Sequence, residues 1–393
     1  MTLPAEPSLW LYAVGDVAPD RQDPNECFAH VREQLCQADI AFCQLEVNLT
    51  ERGARLPQVR HTHRAHASTA HALARAGFSV VSFASNHCLD WGPDGFFDTI
   101  DNARAAGLEV VGVGVDIERA RTPVIVERHG VRVAFLAYCS ILPAHYWAEA
   151  KRPGCAPLRA FTIYEPIEPD QPGTPARIHT YADRADLAAL RADIALAKQR
   201  ADQVVVSMHW GIHFVPAVIA DYQREVAHAA IDVGADLILG HHAHILKGAE
   251  VYRGKTILYS IGNFAVDLRM DKAHAESKGF KEIQVLHPEW VPDFDSLYNF
   301  PPESRMTMIA TAQLTQTQVT QVAFLPCYIN RQAQPELVRP DDPRFAQIVD
   351  YMRRISAEQG LPVHYEVVGD RVLVEAVPQG NQMRRNLAEE APC

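Results

Sequence analysis

Polar side chains that can bind a metal ion or transfer a proton follow five short apolar runs of this sequence. The runs span residues 9–14, 39–45, 80–84, 204–208 and 236–239. The side chains that follow them are Asp16, Glu46, Asn86 with His87, His209, and His242 with His244. Carboxylate, amide and imidazole groups together suit a divalent cation, either one ion or a pair that shares a bridging carboxylate. The pattern therefore predicts a metal-dependent acid/base site.

His87 and Asp90 form a second pattern within one of these loops. A carboxylate close to a histidine can orient the imidazole for proton transfer. The alternative is a helix-entry loop in which Asn86 caps the helix and His87 has a structural partner. The recurrence of polar groups after the other runs favours the catalytic interpretation.

The apolar runs are typical of strands that are buried on both faces of an α/β sheet. Helical periodicity predicts helices at residues 26–38, 67–76, 92–106, 185–200 and 217–233. Ligands of open α/β folds bind at the carboxyl edge of the sheet, where the ends of parallel strands meet. We therefore expect groups that are far apart in sequence to converge at this edge.

Several further segments are predicted to extend the core. Hairpins are expected at 124–138 and 250–261, and Pro-rich stretches at 141–180 and 290–302 either pack as loops or form a groove for a substrate.

The chain beyond residue 268 is predicted to contain strands, a helix and a closing hairpin that extend the same sandwich. We predict a single domain at 1–378, in which residues 8–267 form the motif-bearing core and residues 268–378 form an extension. Residues 379–393 are polar, and we expect a flexible tail there.

Residues 57–71 are rich in His and Arg. They are expected to form either a solvated loop or a positive rim that binds a substrate carboxylate or phosphate, with Arg64 as the best candidate. His213 adds a further imidazole close to His209 and is a second candidate for substrate binding.

Composition excludes several classes of protein. The 393 residues carry a formal net charge of -11 and no cluster of Lys and Arg, which argues against binding to nucleic acid or to an anionic membrane. The eight Cys residues include no Cys-x-x-Cys pair, so we interpret them as buried thiols. The N-terminal stretch has neither a basic leader nor an apolar run long enough to span a membrane, which predicts a cytoplasmic protein.

Six ordered motifs carry a resemblance to a known family. They are GDxxxxR at 15–21, LE at 45–46, SNHxxDxG at 85–92, HWG at 209–211, GHHxH at 240–244 and YSxGNF at 259–264. Together they resemble the CapA/PgsA capsule-synthesis family, a branch of the calcineurin-like metallophosphoesterases, over residues 8–267.

This resemblance implies an α/β fold, specifically a four-layer α/β/β/α sandwich with a divalent metal site on the loops at the sheet edge. It implies that His87 is the catalytic histidine and that Arg21, from the first motif, contacts the substrate. The metal ligands it implies are Asp16, Glu46, Asn86, His209, His242 and His244.

The chain departs from the family pattern at informative positions. Dinuclear phosphoesterases have a His two residues after the first Asp, and this position is Ala18. The capsule proteins have Asn-Leu-Glu where this chain has Gln44-Leu45-Glu46, and they have an acidic residue near the position of His213. Membrane-bound members also carry an N-terminal anchor.

These features suggest three functions. We favour a metal-dependent epimerase, because the chain is similar to a cytosolic offshoot of the family that inverts the C-terminal Cα of lasso-peptide precursors. The alternatives are a metal-dependent hydrolase of phosphoester or amide bonds and an accessory protein of poly-γ-glutamate synthesis.

An epimerase requires two acid/base units. His87 with Asp90 is one, and the second pairs His242 or His244 with Asp16 or Asp20. The substrate is expected to be a peptide with a free C-terminal carboxylate or a small anion. The oxygen ligands permit Ca, Mg or Mn and the imidazoles favour Mn, Fe or Zn, so the metal stays open.

Overall fold

The computed structural model of the protein describes residues 6–57, 59, 64–285 and 287–377. The predicted tail at 379–393 and part of the His- and Arg-rich segment, residues 60–63, lie outside the described residues. The strands are β1 (Ser8–Ala18), β2 (Ile40–Leu45), β3 (Asn48–Leu49), β4 (Arg64–Ala65), β5 (Val80–Ser82), β6 (Glu109–Val111), β7 (Val113–Gly114), β8 (Val124–Arg128), β9 (Val131–Cys139), β10 (Gly154–Cys155), β11 (Ala160–Pro166), β12 (Ala176–Ala182), β13 (Gln203–His209), β14 (Leu237–His241), β15 (Ala249–Tyr252), β16 (Lys255–Leu258), β17 (Asn263–Val266), β18 (Met306–Thr315), β19 (Val319–Ile329), β20 (Pro335–Leu337), β21 (His364–Val368) and β22 (Arg371–Glu375).

Helices occupy most of the segments where periodicity predicts them. They are α1 (Arg32–Leu35), α2 (Thr69–Ala76), α3 (Gly92–Ala105), α4 (Ile117–Ala120), α5 (Arg184–Lys198), α6 (Asp221–Asp232), α7 (Lys272–Glu276), α8 (Lys278–Gln284) and α9 (Pro343–Glu358), and 3-10 turns span Pro24–Phe28 and Pro302–Arg305. The prediction of one helix over 26–38 is wrong. Val31 leaves helical geometry at φ -127° and ψ -9°, and this break separates the first 3-10 turn from α1.

The larger sheet has the strand order β21-β22-β19-β18-β1-β2-β5-β6, with β17 paired to β1 and β20 paired to β19. Strands β1, β2, β5 and β6 are parallel, so their carboxyl ends lie at the same edge. Strand β18 joins β1 in antiparallel register, and through it the chain beyond residue 268 continues this sheet.

The smaller sheet has the order β15-β16-β14-β13-β9-β8. Its four central strands are parallel, and hairpins close both ends. Both predicted hairpins are confirmed. The register places His209, at the end of β13, beside His241, at the end of β14.

The two sheets pack face to face and helices cover their outer faces. Alternate residues of β9 show this arrangement, because Phe135 lies between the sheets and stacks on Phe42 at 5.9 Å, whereas Leu136 faces the opposite way and packs with α5 and α6. Helices α2 and α3 pack on the larger sheet, where Phe96 stacks on Phe83. The predicted four-layer α/β/β/α sandwich is therefore confirmed.

The segment at 141–180 forms a surface excursion. Its main feature is the antiparallel ribbon of β11 and β12, which exposes the side chains of Phe161 and Tyr164. Among the helices of the described residues, none combines the length and the apolar character that crossing a membrane requires.

Candidate metal centre

Asp16 lies inside the sheet edge rather than after the strand, because β1 continues to Ala18. It is flanked by Gln44 of β2 and Asn263 of β17, and its side chain is fully buried. The preceding Gly15 permits this close pairing, since a Cβ at that position would lie 1.8 Å from the carbonyl oxygen of Gly262. The first motif therefore directs a carboxylate into the space between the sheets.

Four predicted ligands meet at one point, which we call the first cluster: Glu46, Asn86, His209 and His242. The Nε2 atom of His209 lies 2.6 Å from Asn86 Oδ1, 3.2 Å from His242 Nδ1 and 3.4 Å from Glu46 Oε1. The last residue of β13 and the loops after β2, β5 and β14 supply these groups, so the expected convergence at the carboxyl edge is observed.

Three predicted ligands form a second cluster: Asp16, Glu46 and His244. The Nδ1 atom of His244 lies 3.4 Å from Asp16 Oδ2 and 3.8 Å from Glu46 Oε2. Candidate ligand atoms of Asp16, Glu46 and His244 all lie within 4.8 Å of one another, as do those of Glu46, His209 and His242. Glu46 belongs to both clusters and is placed to bridge two ions.

The backbone that carries these histidines is strained. His242 and His244 have φ values of 83° and 56°, which non-glycine residues rarely adopt. The loop is reached through Gly240, where a Cβ would lie 2.0 Å from the carbonyl oxygen of Tyr259. The strained loop turns both imidazoles back toward the carboxylates of the two clusters.

The charges of the clusters fit a cation. Asp16 Oδ1 and Glu46 Oε1 are buried without a hydrogen-bond partner, and burial together with the Glu46 charge raises the pKa of Asp16. Burial lowers the pKa of His242 well below its usual value, which keeps the imidazole neutral and able to bind a metal. Burial also acts to lower the pKa of His244, but the facing Glu46 and Asp16 carboxylates raise it to about 9. The two carboxylates therefore favour a positive charge at this point, and a divalent ion bound there would take the place of the proton on His244.

His87 forms the predicted pair with Asp90. The Nδ1 atom of His87 lies 2.7 Å from Asp90 Oδ2, and the hydroxyl of Tyr146 donates to Asp90 Oδ1 at 2.9 Å. Burial opposes protonation of His87, but the hydrogen bond to Asp90 and the charges of Asp90 and Glu46 together outweigh it and raise the pKa of the imidazole. Tyr146 is a positioning residue that the sequence did not single out, because it lies 56 residues away from Asp90.

Comparison with known proteins identifies the family. Residues 10–268 match the model of the family described as "Bacterial capsule synthesis protein PGA_cap". The chain belongs to the PGA_cap family. The match ends just after β17, so it covers every residue of the two clusters and stops before the extension.

Several proteins similar to this chain have names that refer to capsule or polymer synthesis. "PGA biosynthesis protein CapA" of Bacillus subtilis is 32% identical over 196 residues, covering 50% of this chain and 44% of the relative. "Capsule biosynthesis protein CapA" of Bacillus anthracis is 30% identical over 251 residues, covering 63% and 55%. A Mycobacterium tuberculosis "Probable polyglutamine synthesis accessory protein" is 32% identical over 253 residues, covering 63% and 60%. The chain thus spans about half the length of these relatives.

A solved structure of a hypothetical protein from Thermus thermophilus is also similar. The TM-score is 0.42 at 14% identity, over 83% of this chain and 96% of that one. This likeness supports no assignment of activity.

Two Arg residues predicted to bind substrate have other contacts in this PGA_cap protein. Arg21 is buried in an ion pair with Asp267, and its guanidinium also donates to the Gln332 carbonyl at 2.8 Å. Arg64 is exposed, and its guanidinium lies 4.2 Å from the centre of the Trp91 ring. Neither residue lines the pocket beside the clusters, so substrate binding by either one stays a prediction.

A pocket of about 250 Å³ opens beside the second cluster. The polar residues of its floor are Glu46, His87, His213 and His244. Ala18, at the position where dinuclear phosphoesterases have a His, also lines the pocket. The third substrate-binding candidate, His213, is thus next to the clusters, and its ring lies 3.9 Å from that of His242.

The pocket walls are apolar, and most of them come from residues outside the family match. The wall residues are Phe214, Leu268, Met270, Phe280, Trp290 and Phe300. Of the two segments predicted to form a groove, 290–302 contributes to this wall, whereas no described residue of 141–180 lines the pocket.

Asn263 is a site residue that the sequence interpretation missed. Its Oδ1 atom lies 2.8 Å from His244 Nδ1, and its amide nitrogen donates to the Tyr298 hydroxyl at 2.9 Å. The signal was present in the sequence, since Asn263 belongs to the YSxGNF motif and follows the apolar run of β16. Asn263 holds the imidazole of His244 at the second cluster.

Proposed function

We propose that this protein is a divalent-metal-dependent hydrolase-type enzyme that acts on an amide bond of a peptide-like substrate. The observation that carries the proposal is the sharing of Glu46 by two ligand clusters, because Glu46 and His244 line a pocket that His87 also lines. The relatives supply the context, because their names refer to PGA, capsule and polyglutamine synthesis. We propose an accessory role in the synthesis of an amide-linked polymer of this kind.

The chain's own residues have distinct roles in this proposal. The first cluster and the second cluster hold the divalent metal, which when bound activates water and polarises a carbonyl group. His87, which its contact with Asp90 orients, donates a proton to the leaving amine. Tyr146 holds Asp90 from the opposite side, so that the imidazole keeps its orientation during the transfer.

Peptide epimerisation is a second candidate. Two imidazoles that complete neither metal-ligand group, His87 and His213, come from separate loops and line the same pocket. One histidine could remove a Cα proton while the other returns a proton to the opposite face. Asp16 lies 3.4 Å from His244, so the second acid/base pair expected from the sequence falls within the metal-ligand set. None of the relatives named above is described as an epimerase.

We propose that the substrate is a peptide with a carboxylate rather than a nucleic acid or a membrane surface. The net charge of -11 disfavours a polyanionic macromolecule outside the site. A bound divalent ion would offer positive charge to a single carboxylate. Burial lowers the pKa of His213 well below its usual value, so this imidazole would offer a neutral hydrogen-bonding group beside the ion.

The test is incubation of the protein with peptides in deuterated water, followed by mass spectrometry. The substrates are a γ-linked glutamate oligomer and α-linked peptides, each with metal-loaded protein and with chelator-treated protein. Metal-dependent cleavage supports the hydrolase. A gain of one deuterium in an intact peptide overturns it in favour of the epimerase, and no change in any substrate overturns both enzymatic proposals.

A matched pair of variants shows that the observed chemistry belongs to this site. His87→Ala removes the proton donor, whereas His66→Ala removes an exposed imidazole that contacts Ser68 and Glu51. Activity that disappears only in His87→Ala supports the assignment. Activity that survives in both variants contradicts the role proposed for His87.

A further inference from the structure

We propose that the pocket beside the second cluster selects a substrate with an apolar, preferably aromatic, side chain next to the reacting bond. This inference rests on the proposed function in one respect, namely that the reacting bond lies at the metal-ligand clusters. It concerns the identity of the substrate residue, which the family match does not specify.

The geometry of the wall supports the selection of an aromatic group. The ring of Trp290 lies 5.2 Å from Phe214 and 5.3 Å from Phe280, in edge-to-face orientation, and 6.5 Å from Phe300. Aromatic rings prefer these arrangements, and an added ring from a substrate extends the same packing. At about 250 Å³ the pocket is smaller than typical sites for whole drug-sized ligands, so it suits a single side chain.

The wall is preorganised. The Trp290 indole donates to the carbonyl oxygen of Asn299 at 2.8 Å, and the Asn299 amide donates to the carbonyl oxygens of Leu268 and Ser296. Both Phe280 and Trp290 are almost fully buried. Because these side chains are already ordered, binding a ligand against them costs little additional conformational entropy.

The distribution of charge argues against a glutamate side chain in this pocket. No Lys or Arg is among the described residues that line it, and the polar groups lie on the floor with the metal ligands or at His274 and Ser277 on the rim. A carboxylate directed at the aromatic wall would lose its hydration without gaining a cationic partner. An apolar side chain gains free energy from the same burial.

Most of the aromatic wall comes from a segment outside the family match, so the proposed preference for an aromatic side chain belongs to this chain and not to the matched family region. Met270, Phe280, Trp290 and Phe300 lie beyond residue 268, where the family match ends. The motif-bearing region that matches the family therefore supplies the floor and its chemistry, and the following segment supplies the selectivity.

Calorimetric titration with blocked amino acids tests the preference independently of turnover. N-acetylphenylalanine and N-acetylglutamine carry the same single carboxylate and differ in the side chain. We expect N-acetylphenylalanine to bind metal-loaded protein about tenfold or more tightly than N-acetylglutamine, since burial of the ring contributes a kilocalorie or more. Equal affinities, or tighter binding of N-acetylglutamine or N-acetylglutamate, would overturn the proposal.

A variant that fills the pocket avoids the risk of unfolding the wall. Gly279 lies in α8 and lines the pocket, and a Cβ built on it meets no atom within 4 Å. Gly279→Leu should abolish the preference for N-acetylphenylalanine. The control is Lys278→Leu, which places the same leucine on the same helix at a position that is 90% exposed and does not line the pocket. It should leave the preference for N-acetylphenylalanine unchanged.

The outcomes separate this inference from the proposed function. A phenylalanine preference that Gly279→Leu removes supports the pocket assignment even if no amide bond is cleaved. A preference that persists in Gly279→Leu overturns the pocket assignment, even if the protein proves to be a metal-dependent hydrolase.

Discussion

The two ligand clusters differ in how completely the chain surrounds them. The first cluster is closed, because His209 and His242 are almost fully buried and neither of them lines the pocket. The second cluster borders the pocket, since Glu46 and His244 both line it, and Ala18 stands where a dinuclear phosphoesterase has a further imidazole.

This difference suggests a division of labour between the clusters. Metal sites that serve a structural role have closed coordination, whereas catalytic sites keep a position open for water or substrate. The second cluster reaches the pocket through Glu46 and His244, so an ion held there would be accessible to water and substrate beside His87. We therefore expect the first cluster to bind its ion more tightly and the second cluster to be the place where substrate is bound.

Substitution of Glu46 should reduce metal binding and activity more than any other change, because this carboxylate belongs to both clusters. Glu46→Gln removes the shared charge, and we expect the protein to lose metal at both positions together with all activity. Metal content is measured by plasma mass spectrometry after dialysis.

The matched control is Glu250→Gln. Glu250 is equally buried, but it accepts hydrogen bonds from Tyr259 and contacts His228 away from the clusters. It should retain full metal content. If Glu46→Gln retains both ions, the carboxylate does not bridge them and the comparison of the clusters fails.

His87→Ala tests whether His87, which lines the pocket beside the second cluster, is the group that transfers the proton. His87 lines the pocket but lies outside both metal-ligand groups, so we expect activity to fall by about 10²–10⁴-fold while metal content stays close to that of the unmodified protein. Both quantities are measured on the same preparation. Complete loss of metal would instead place His87 in the ligand set.

Ala18→His tests directly whether the second cluster binds its ion weakly because it lacks an imidazole ligand at position 18. Ala18 lines the pocket, which leaves room for a larger side chain. The added imidazole should tighten binding of the weaker ion by about tenfold, a change of roughly 1.4 kcal/mol. Calorimetric titration of chelator-treated protein measures both binding steps.

Ala18→Leu has similar bulk without a ligand atom and should not tighten the weaker step. An equal gain in both variants would show that packing, rather than coordination, limits the second cluster.

Much of the site could be predicted because it depends on strand ends. Glu46, Asn86 and His209 each follow an apolar run, and parallel pairing brings such ends to one edge. The apolar pattern predicts that Asp16 follows its strand, but the pairing of β1 with β17 extends the strand past it. That pairing sets Asp16 beside Asn263, which lies 247 residues further along the chain, so it is not visible in local periodicity.

Contacts of long sequence separation explain the remaining differences. The first motif predicts that Arg21 contacts substrate, and its ion pair with Asp267 links positions 246 residues apart. The aromatic wall likewise depends on how the segment after residue 268 folds back against Phe214. Its Pro-rich sequence indicates only that it is irregular. Motifs therefore predict the floor of the pocket, and tertiary packing determines its walls.

The smallest expected effect concerns the support of His244 at the second cluster. Tyr298 accepts a hydrogen bond from the Asn263 amide, and Asn263 in turn contacts His244. Tyr298→Phe leaves Asn263 free to rotate, so we expect up to about tenfold weaker binding of the second ion, at the low end for loss of an outer partner of a metal ligand. The first cluster should be unaffected, because the side-chain hydrogen bonds of Asn263 run to His244 and Tyr298.

The matched control is Tyr365→Phe. It removes another buried hydroxyl, which contacts Ser356, and it should change neither metal-binding step. Equal weakening at both clusters after Tyr298→Phe would mean that the two clusters form one rigid unit rather than a closed and an open site.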